Sequence, residues 1–148
     1  MDRRHPRVSA GYELLDHTAD VGLRLRARSL EELFQVAAHA FYELMVDRTR
    51  VEDRERKGVA LEAAALDELL VAWLSELLFL FETEAFLGRS VHVHLEEGKT
   101  WRLRGQIGGE RLDFDRHELQ LLYKAVTYHQ LKVEQDAHGW HAQVIFDV

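Results

Sequence analysis

Two short segments at opposite ends of the sequence carry the side chains best suited to chemistry. Asp16-His17-Thr18-Ala19-Asp20 lies near the start, and Phe146-Asp147-Val148 closes the chain. Hard divalent cations take oxygen ligands that converge from several directions, and distant parts of a chain supply them only through the fold. The closing segment offers the Asp147 side chain and, at Val148, a free terminal carboxylate. Because Asp147 follows an alternating strand pattern, this charge is expected against a sheet. Aspartates also cap turns by accepting hydrogen bonds from nearby backbone N–H groups. That role suits Asp16. Asp20 becomes a cation ligand only where the fold sets Asp147 beside it, which spacing alone does not show.

Other constellations are weaker. His92 and His94 share one face of a strand pattern, but with no cysteine a zinc site would need His17, His129, His138 or His141 as well. Alternating histidines on the solvent face of a strand explain the pair more simply. A serine hydrolase would have to use Ser9, Ser29, Ser75 or Ser90, and none sits in a nucleophile elbow. Gly105-Gln106-Ile107-Gly108-Gly109 lacks the Gly-Lys-Ser/Thr ending of a phosphate loop and reads as a hairpin turn. Lys124 is one of only four lysines and falls in a strand pattern, where it needs solvent or a partner.

The elements that position these residues form an α+β pattern. Tyr12 and Leu14 start a short strand, and Val21, Leu23 and Leu25 alternate with Gly22, Arg24 and Arg26 as a second. Ser29 and Glu32 form a capping box for a helix ending near Val46 or Asp47. Residues 48–57 read as a charged loop, Val59 and Leu61 as a short strand, and Leu66–Phe81 as the strongest helix, with Gly88 ending that region. Strands follow around Val91–Leu95 and Trp101–Ile107, with turns at Glu97-Gly98 and Gly108-Gly109. A polar segment, 113–122, leads into Tyr123–Val133, and His138-Gly139 turns the chain into Trp140–Phe146. The expected architecture is a single domain of two helices packed on a mainly antiparallel β-sheet.

The 148 residues suit one domain, and no apolar run is long enough to span a bilayer. The basic start, residues 1–7, has no apolar stretch behind it and does not read as a secretory signal. Absence of cysteine fits a cytoplasmic protein. A net charge of −7 argues against tight direct binding of nucleic acid and favours a protein partner or a cation.

Four motifs, in order, resemble the archease family. They are Asp16-His17-Thr18-Ala19-Asp20 with Val21-Gly22 and Leu30–Phe34, the helix Leu69–Leu78, Lys124-Ala125-Val126-Thr127-Tyr128-His129, and Phe146-Asp147-Val148. The resemblance runs from Tyr12 to Val148, with residues 1–11 outside it as a flexible arm. It implies a cytoplasmic protein cofactor, not itself an enzyme, of the GTP- and manganese-dependent ligase that joins RNA ends in tRNA splicing and RNA repair. Such a cofactor promotes ligase guanylylation and multiple turnover. The resemblance further implies a divalent-cation site at Asp20, Asp147 and the Val148 carboxylate, with Asp16 a secondary candidate. Calcium is the cation expected in vitro, with manganese or magnesium as alternatives. Lys124 is implied to support activity. Other readings of the chain are a general chaperone, a modulator of other RNA-processing enzymes, or a metal-dependent hydrolase. The segment before Lys124, Glu118–Tyr123, is less polar and acidic than is usual in the family.

Overall fold

Period-two burial along the strands and a three-to-four-residue apolar stripe along the helices divide the described residues into seven strands and two long helices. The computed structural model describes residues 10–16 and 20–148. In chain order the elements are β1 (Gly11–Asp16), β2 (Asp20–Ala27), α1 (Leu30–Met45), a 3₁₀ turn (Arg48–Arg50), β3 (Glu55–Ala63), α2 (Leu66–Glu84), β4 (Phe86–Glu97), β5 (Trp101–Arg111), β6 (Ala125–Asp136) and β7 (Gly139–Asp147). The expected α+β fold is present, but its strands divide between two antiparallel sheets. One has the order β1-β2-β7-β6 and the other β3-β5-β4. Both helices touch both sheets: α1 lies on β2 and β4, and α2 on β6 and β3. Most of the buried apolar side chains form one core cluster. No described helix is long and apolar enough to cross a membrane.

The helices form where the sequence predicts. Ser29 Oγ accepts from the Glu32 N–H at 3.1 Å, and the Glu32 carboxylate reaches back to the Arg28 N–H at 2.9 Å. This is the reciprocal capping arrangement, displaced by one residue on the return bond. The α2 helix runs three residues past the expected end, and Ala85 stops it in the left-handed conformation, φ 54°. Gly88 is therefore not the terminator; it lies within β4. The Trp73 indole ties the helices together by donating to the Phe34 carbonyl at 2.9 Å.

The glycines of β5 correct a second expectation. Gly108 and Gly109 make no turn; they sit inside a strand paired on both sides, facing β3 and β4. Close packing explains the absence of side chains there. A Cβ on Gly105 would strike the Trp73 ring, and one on Gly109 would run into the Leu87 carbonyl oxygen. The obstacle at Gly109 is backbone, which cannot rotate aside. We expect Gly109→Ala to destabilise the fold by about 3 kcal/mol, at the upper end of overpacking costs. Urea unfolding measures this, with the midpoint falling and the slope unchanged.

Residues 112–124, which have no regular structure, are nevertheless well anchored. The His117 N–H donates to the Asp113 carbonyl, and the Gln120 N–H donates to the Met45 carbonyl, at 2.7 and 2.8 Å. His117 Nδ1 accepts from the Asp113 N–H, so Nε2 carries the proton of the neutral ring. That nitrogen lies 3.0 Å from both the Glu110 carboxylate and the Arg50 carbonyl. Glu110 is buried and also receives the Arg116 guanidinium and the Glu52 N–H. Burial alone would raise its pKa, but the bonds from Arg116, Glu52 and His117 together hold it below the ordinary glutamate value. A carboxyl held low when folded stabilises above its unfolded pKa of about 4.3 and loses that contribution as pH falls through the folded value. The Glu110→Gln protein should accordingly be less stable at pH 7 and show a flatter loss of stability below about pH 4. Thermal melts across pH 2–7 test this, and parallel curves would contradict it.

Candidate functional site

The register of three strands brings Asp20, Asp147 and the start of β6 together. β2 and β7 pair antiparallel, with Asp20 directly opposite Asp147 and Val21 opposite Phe146. On the other side of β7, Asp147 faces Ala125 and Phe146 faces Val126 of β6. Leu23, Leu25, Val144 and Phe146 are buried toward the helices. By strand alternation Asp20 and Asp147 project together from the opposite face. Direct partners on one face of an antiparallel pair have Cβ atoms about 4.5–5.5 Å apart, and like charges so placed repel. Asp147 is exposed and Asp20 partly so. A pair of hard oxygen donors at this spacing fits a divalent cation, whose charge relieves the repulsion.

Val148 follows at once and packs partly against the core. That contact keeps its main chain beside Asp147. Lys124 is exposed and lies one residue before β6, not within a strand as its pattern suggested. Its backbone N–H donates to the Asp147 carbonyl at 2.8 Å. Lys124 is therefore fixed next to the acidic pair by its main chain, while its side chain is left in solvent. Asp16 lies at the end of β1, opposite Val21. His17, Thr18 and Ala19, which complete the first motif, lie outside the described residues, as do residues 1–9. Gly11, expected in the N-terminal arm, already pairs with Arg26 in β1.

Two features next to the site gave no clear signal in the sequence. One is Tyr123, whose hydroxyl donates to the Phe41 carbonyl at 2.7 Å. Its ring stacks on Phe41 at 4.4 Å and tilts onto Phe146 at 4.6 Å. Burial pushes the phenol pKa well above its usual value, with the nearby Tyr12 adding to the effect. Tyr123 thus pins the residue before Lys124 and the residue before Asp147 to the same core. The other is a wide bulge in β6. Thr127 pairs with Ile145 and Lys132 with Gln143, so residues 128–131 oppose a single residue of β7. Gln130 takes a left-handed conformation there, φ 52°, and its carbonyl accepts from the Gln143 side chain at 3.0 Å. The bulge presents Tyr128 to solvent, 66 % exposed. Bulges of this kind re-aim side chains near functional sites.

The alternative chemistries gain little. Among the described residues, no group of three or more His, Asp or Glu side chains could hold a metal ion. His94 lies on the solvent side of β4 between Glu31 and Glu96, at 3.2 and 3.3 Å. Ser29 caps α1, Ser75 lies within α2, and Ser90 donates to Asp53 at 2.7 Å. No nucleophile–base pair links a described serine to a histidine.

Comparisons with known proteins find relatives along most of the chain. The family model described as the Archease protein family matches residues 12–148. A curated relative, "Protein archease" of Sulfurisphaera tokodaii, is 34% identical over 137 residues, covering 93% of this chain and 98% of that protein. The solution structure of Methanobacterium thermoautotrophicum protein 1598 superposes with a TM-score of 0.79 at 33% identity, covering 93% of this chain and 99% of that one. The crystal structure of a Thermotoga maritima archease, described as a possible chaperone, shares the fold with a TM-score of 0.63 at 20% identity. It covers 99% of this chain and all of that chain.

Proposed function

Since this chain belongs to the archease family, we propose that it is a protein cofactor of the GTP- and manganese-dependent RNA ligase of tRNA splicing and RNA repair. In this reading it promotes ligase guanylylation and repeated turnover and does not join RNA itself. The observation that carries the reading is the cross-strand pairing of Asp20 with Asp147, with Lys124 bonded to the same Asp147 backbone. These are the positions that the family motifs single out, and they come from three separate parts of the chain.

Asp20 and Asp147 would hold a divalent cation, with the Val148 carboxylate as a third donor and Asp16 a secondary one. Calcium suits these oxygen donors, as do manganese and magnesium. A bound cation supplies positive charge that can neutralise phosphate oxygens, a large term in nucleotidyl and phosphoryl transfer. The chain's own residues do the rest. β2 and β7 fix the two carboxylates on a rigid sheet, and the Tyr123 anchor holds Lys124 beside them. The Lys124 ammonium is free to meet a phosphate or an acidic group of the ligase.

A purified ligase assayed for guanylylation and for product per enzyme, with and without this protein, tests the proposal. Multiple turnover only in the mixture is the expected result. A general chaperone is the second reading, favoured by the description of the Thermotoga maritima structure and by exposed Phe79, Phe114, Leu122 and Tyr128. Protection of unrelated client proteins, with no effect on the ligase, would select it.

The terminal carboxylate makes its own prediction. Extending the chain beyond Val148 turns that carboxylate into an amide and removes a donor. Calcium affinity should fall about tenfold or more, whereas an extension before Met1 leaves it unchanged. Equal affinities by calorimetry would remove Val148 from the ligand set.

A further inference from the structure

Of the two edges of the sheet β3-β5-β4, one is covered and the other is open among the described residues. Along β4, side chains of α1 occupy the outward backbone: Gln35 accepts from the Val93 N–H at 3.0 Å and Glu31 from the Leu95 N–H at 2.8 Å. The opposite edge, β3, has no such cover among the described residues. It packs against β5 and α2. Among the described residues, no group outside the sheet hydrogen-bonds to its backbone. Alternate N–H and C=O groups of an edge strand point away from the sheet, so nine residues of β3 offer a template for another strand.

The side chains of β3 specify what fits. Lys57, Val59, Leu61 and Ala63 turn toward the helix side, and Val59 is buried. Arg56, Gly58, Ala60 and Glu62 are exposed on the other face. Gly58 and Ala60 leave that face open at the centre; a Cβ on Gly58 would meet nothing within 4 Å. Arg56 has no acidic partner among the described residues. Glu62 is held at the other end of the strand by Thr100 and Arg102. The strand is thus charged with opposite signs at its two ends and small in its middle.

An antiparallel copy of this strand, turned about a two-fold axis at Val59, places Arg56 opposite Glu62 twice and Gly58 opposite Ala60 twice. A shift of one residue in the register would set outward side chains against core-facing ones. A shift of two would break the Arg56–Glu62 match. Opposite charges directly across an antiparallel pair stabilise it, and isologous pairing repeats each contact. The same operation sets a second α2 alongside the first, and α2 carries Phe79, 55 % exposed.

We propose that β3 is a self-association edge, through which two copies of this chain form a continuous six-stranded sheet closed by reciprocal Arg56–Glu62 pairs. The edge belongs to the sheet that does not carry Asp20 and Asp147, so the dimer leaves both candidate cation sites open. This proposal is independent of the ligase reading.

Sedimentation equilibrium over a hundredfold range of concentration tests it on the full chain. The unmodified protein should approach twice its 17.2 kDa mass at the upper end. Arg56→Glu and Glu62→Arg each set like charges opposite one another twice, and each should weaken the dimer at least tenfold. The double variant, Arg56→Glu with Glu62→Arg, restores both pairs in reversed order and should recover the dimer. Circular dichroism confirms that all four proteins are folded, since the substituted side chains are exposed. A monomer at every concentration, or single variants that associate as well as the parent, would overturn the proposal. Dimers that neither single variant weakens would place the interface elsewhere.

Discussion

A purified RNA ligase supplied with the Asp147→Asn protein is expected to stop after its first turnover, as though no cofactor were present. The substitution keeps the size of the side chain and every backbone contact, including the bond from the Lys124 N–H to the residue 147 carbonyl. It removes one of two facing carboxylates. Loss of supporting groups around metal ligands typically costs about 10–100-fold in affinity, and loss of a ligand itself should cost at least as much. The same change has a signature that needs no ligase. Calcium at about 100 times its dissociation constant adds about 2.7 kcal/mol to the stability of a protein that binds it only when folded. For a chain of this size that corresponds to a rise of about 5–11 °C in Tm. Asp147→Asn and Asp20→Asn should show no such rise. Asp147→Asn should also melt at or above the temperature of the cation-free parent, because a like-charge cross-strand pair has been relieved. A destabilised variant that still responds to calcium would locate the cation elsewhere.

The second large effect concerns Tyr123, which touches no cation. Replacing it with alanine removes a buried ring that stacks on Phe41 and leans on Phe146, and strips the Phe41 carbonyl of its hydroxyl donor. Large-to-small aromatic substitutions of this kind cost about 3–5 kcal/mol. That is a substantial share of the stability of an ordinary domain, about 5–15 kcal/mol. Tyr123→Phe loses only the hydrogen bond and should cost about 1–2 kcal/mol. The pair of variants separates packing from positioning. At a temperature where both are folded, Tyr123→Phe should bind calcium as the parent does, since β2 and β7 are intact. Tyr123→Ala frees the backbone of Lys124, so ligase stimulation should fall further than calcium binding does. Equal losses in both assays would mean that Tyr123 acts through global stability alone.

The parts of this molecule that were legible in the sequence are those governed by local rules. The Ser29 cap, the α1 stripe and the alternation in β2 and β7 are set by neighbours a few residues away, and they stand in the structure at the expected positions. Glycine misled because its usual local meaning is a turn. In β5, Gly105, Gly108 and Gly109 are there to let Trp73, Asp53 and Leu87 approach, which only the assembled fold reveals. Ala85 was missed as a helix end for the converse reason, since a non-glycine residue rarely takes a positive φ. The division into two sheets depends on pairings between distant strands. No pattern within β3 or β6 announces which sheet it joins. At the candidate site, Asp20 and Asp147 were recognisable one at a time, and their register opposite each other was not. The Tyr123 anchor and the bulge at 128–131 depend on contacts with Phe41 and Gln143, far away in the chain.

Isothermal titration of calcium into the unmodified protein and into the Asp20→Asn and Asp147→Asn proteins tests the central claim most directly. The carboxylate pair predicts one saturable site per chain in the parent and at least a tenfold loss of affinity in each variant. Manganese and magnesium should compete for the same site. Binding of equal strength in all three proteins, or no binding to the parent, would contradict the claim that β2 and β7 join to hold a cation.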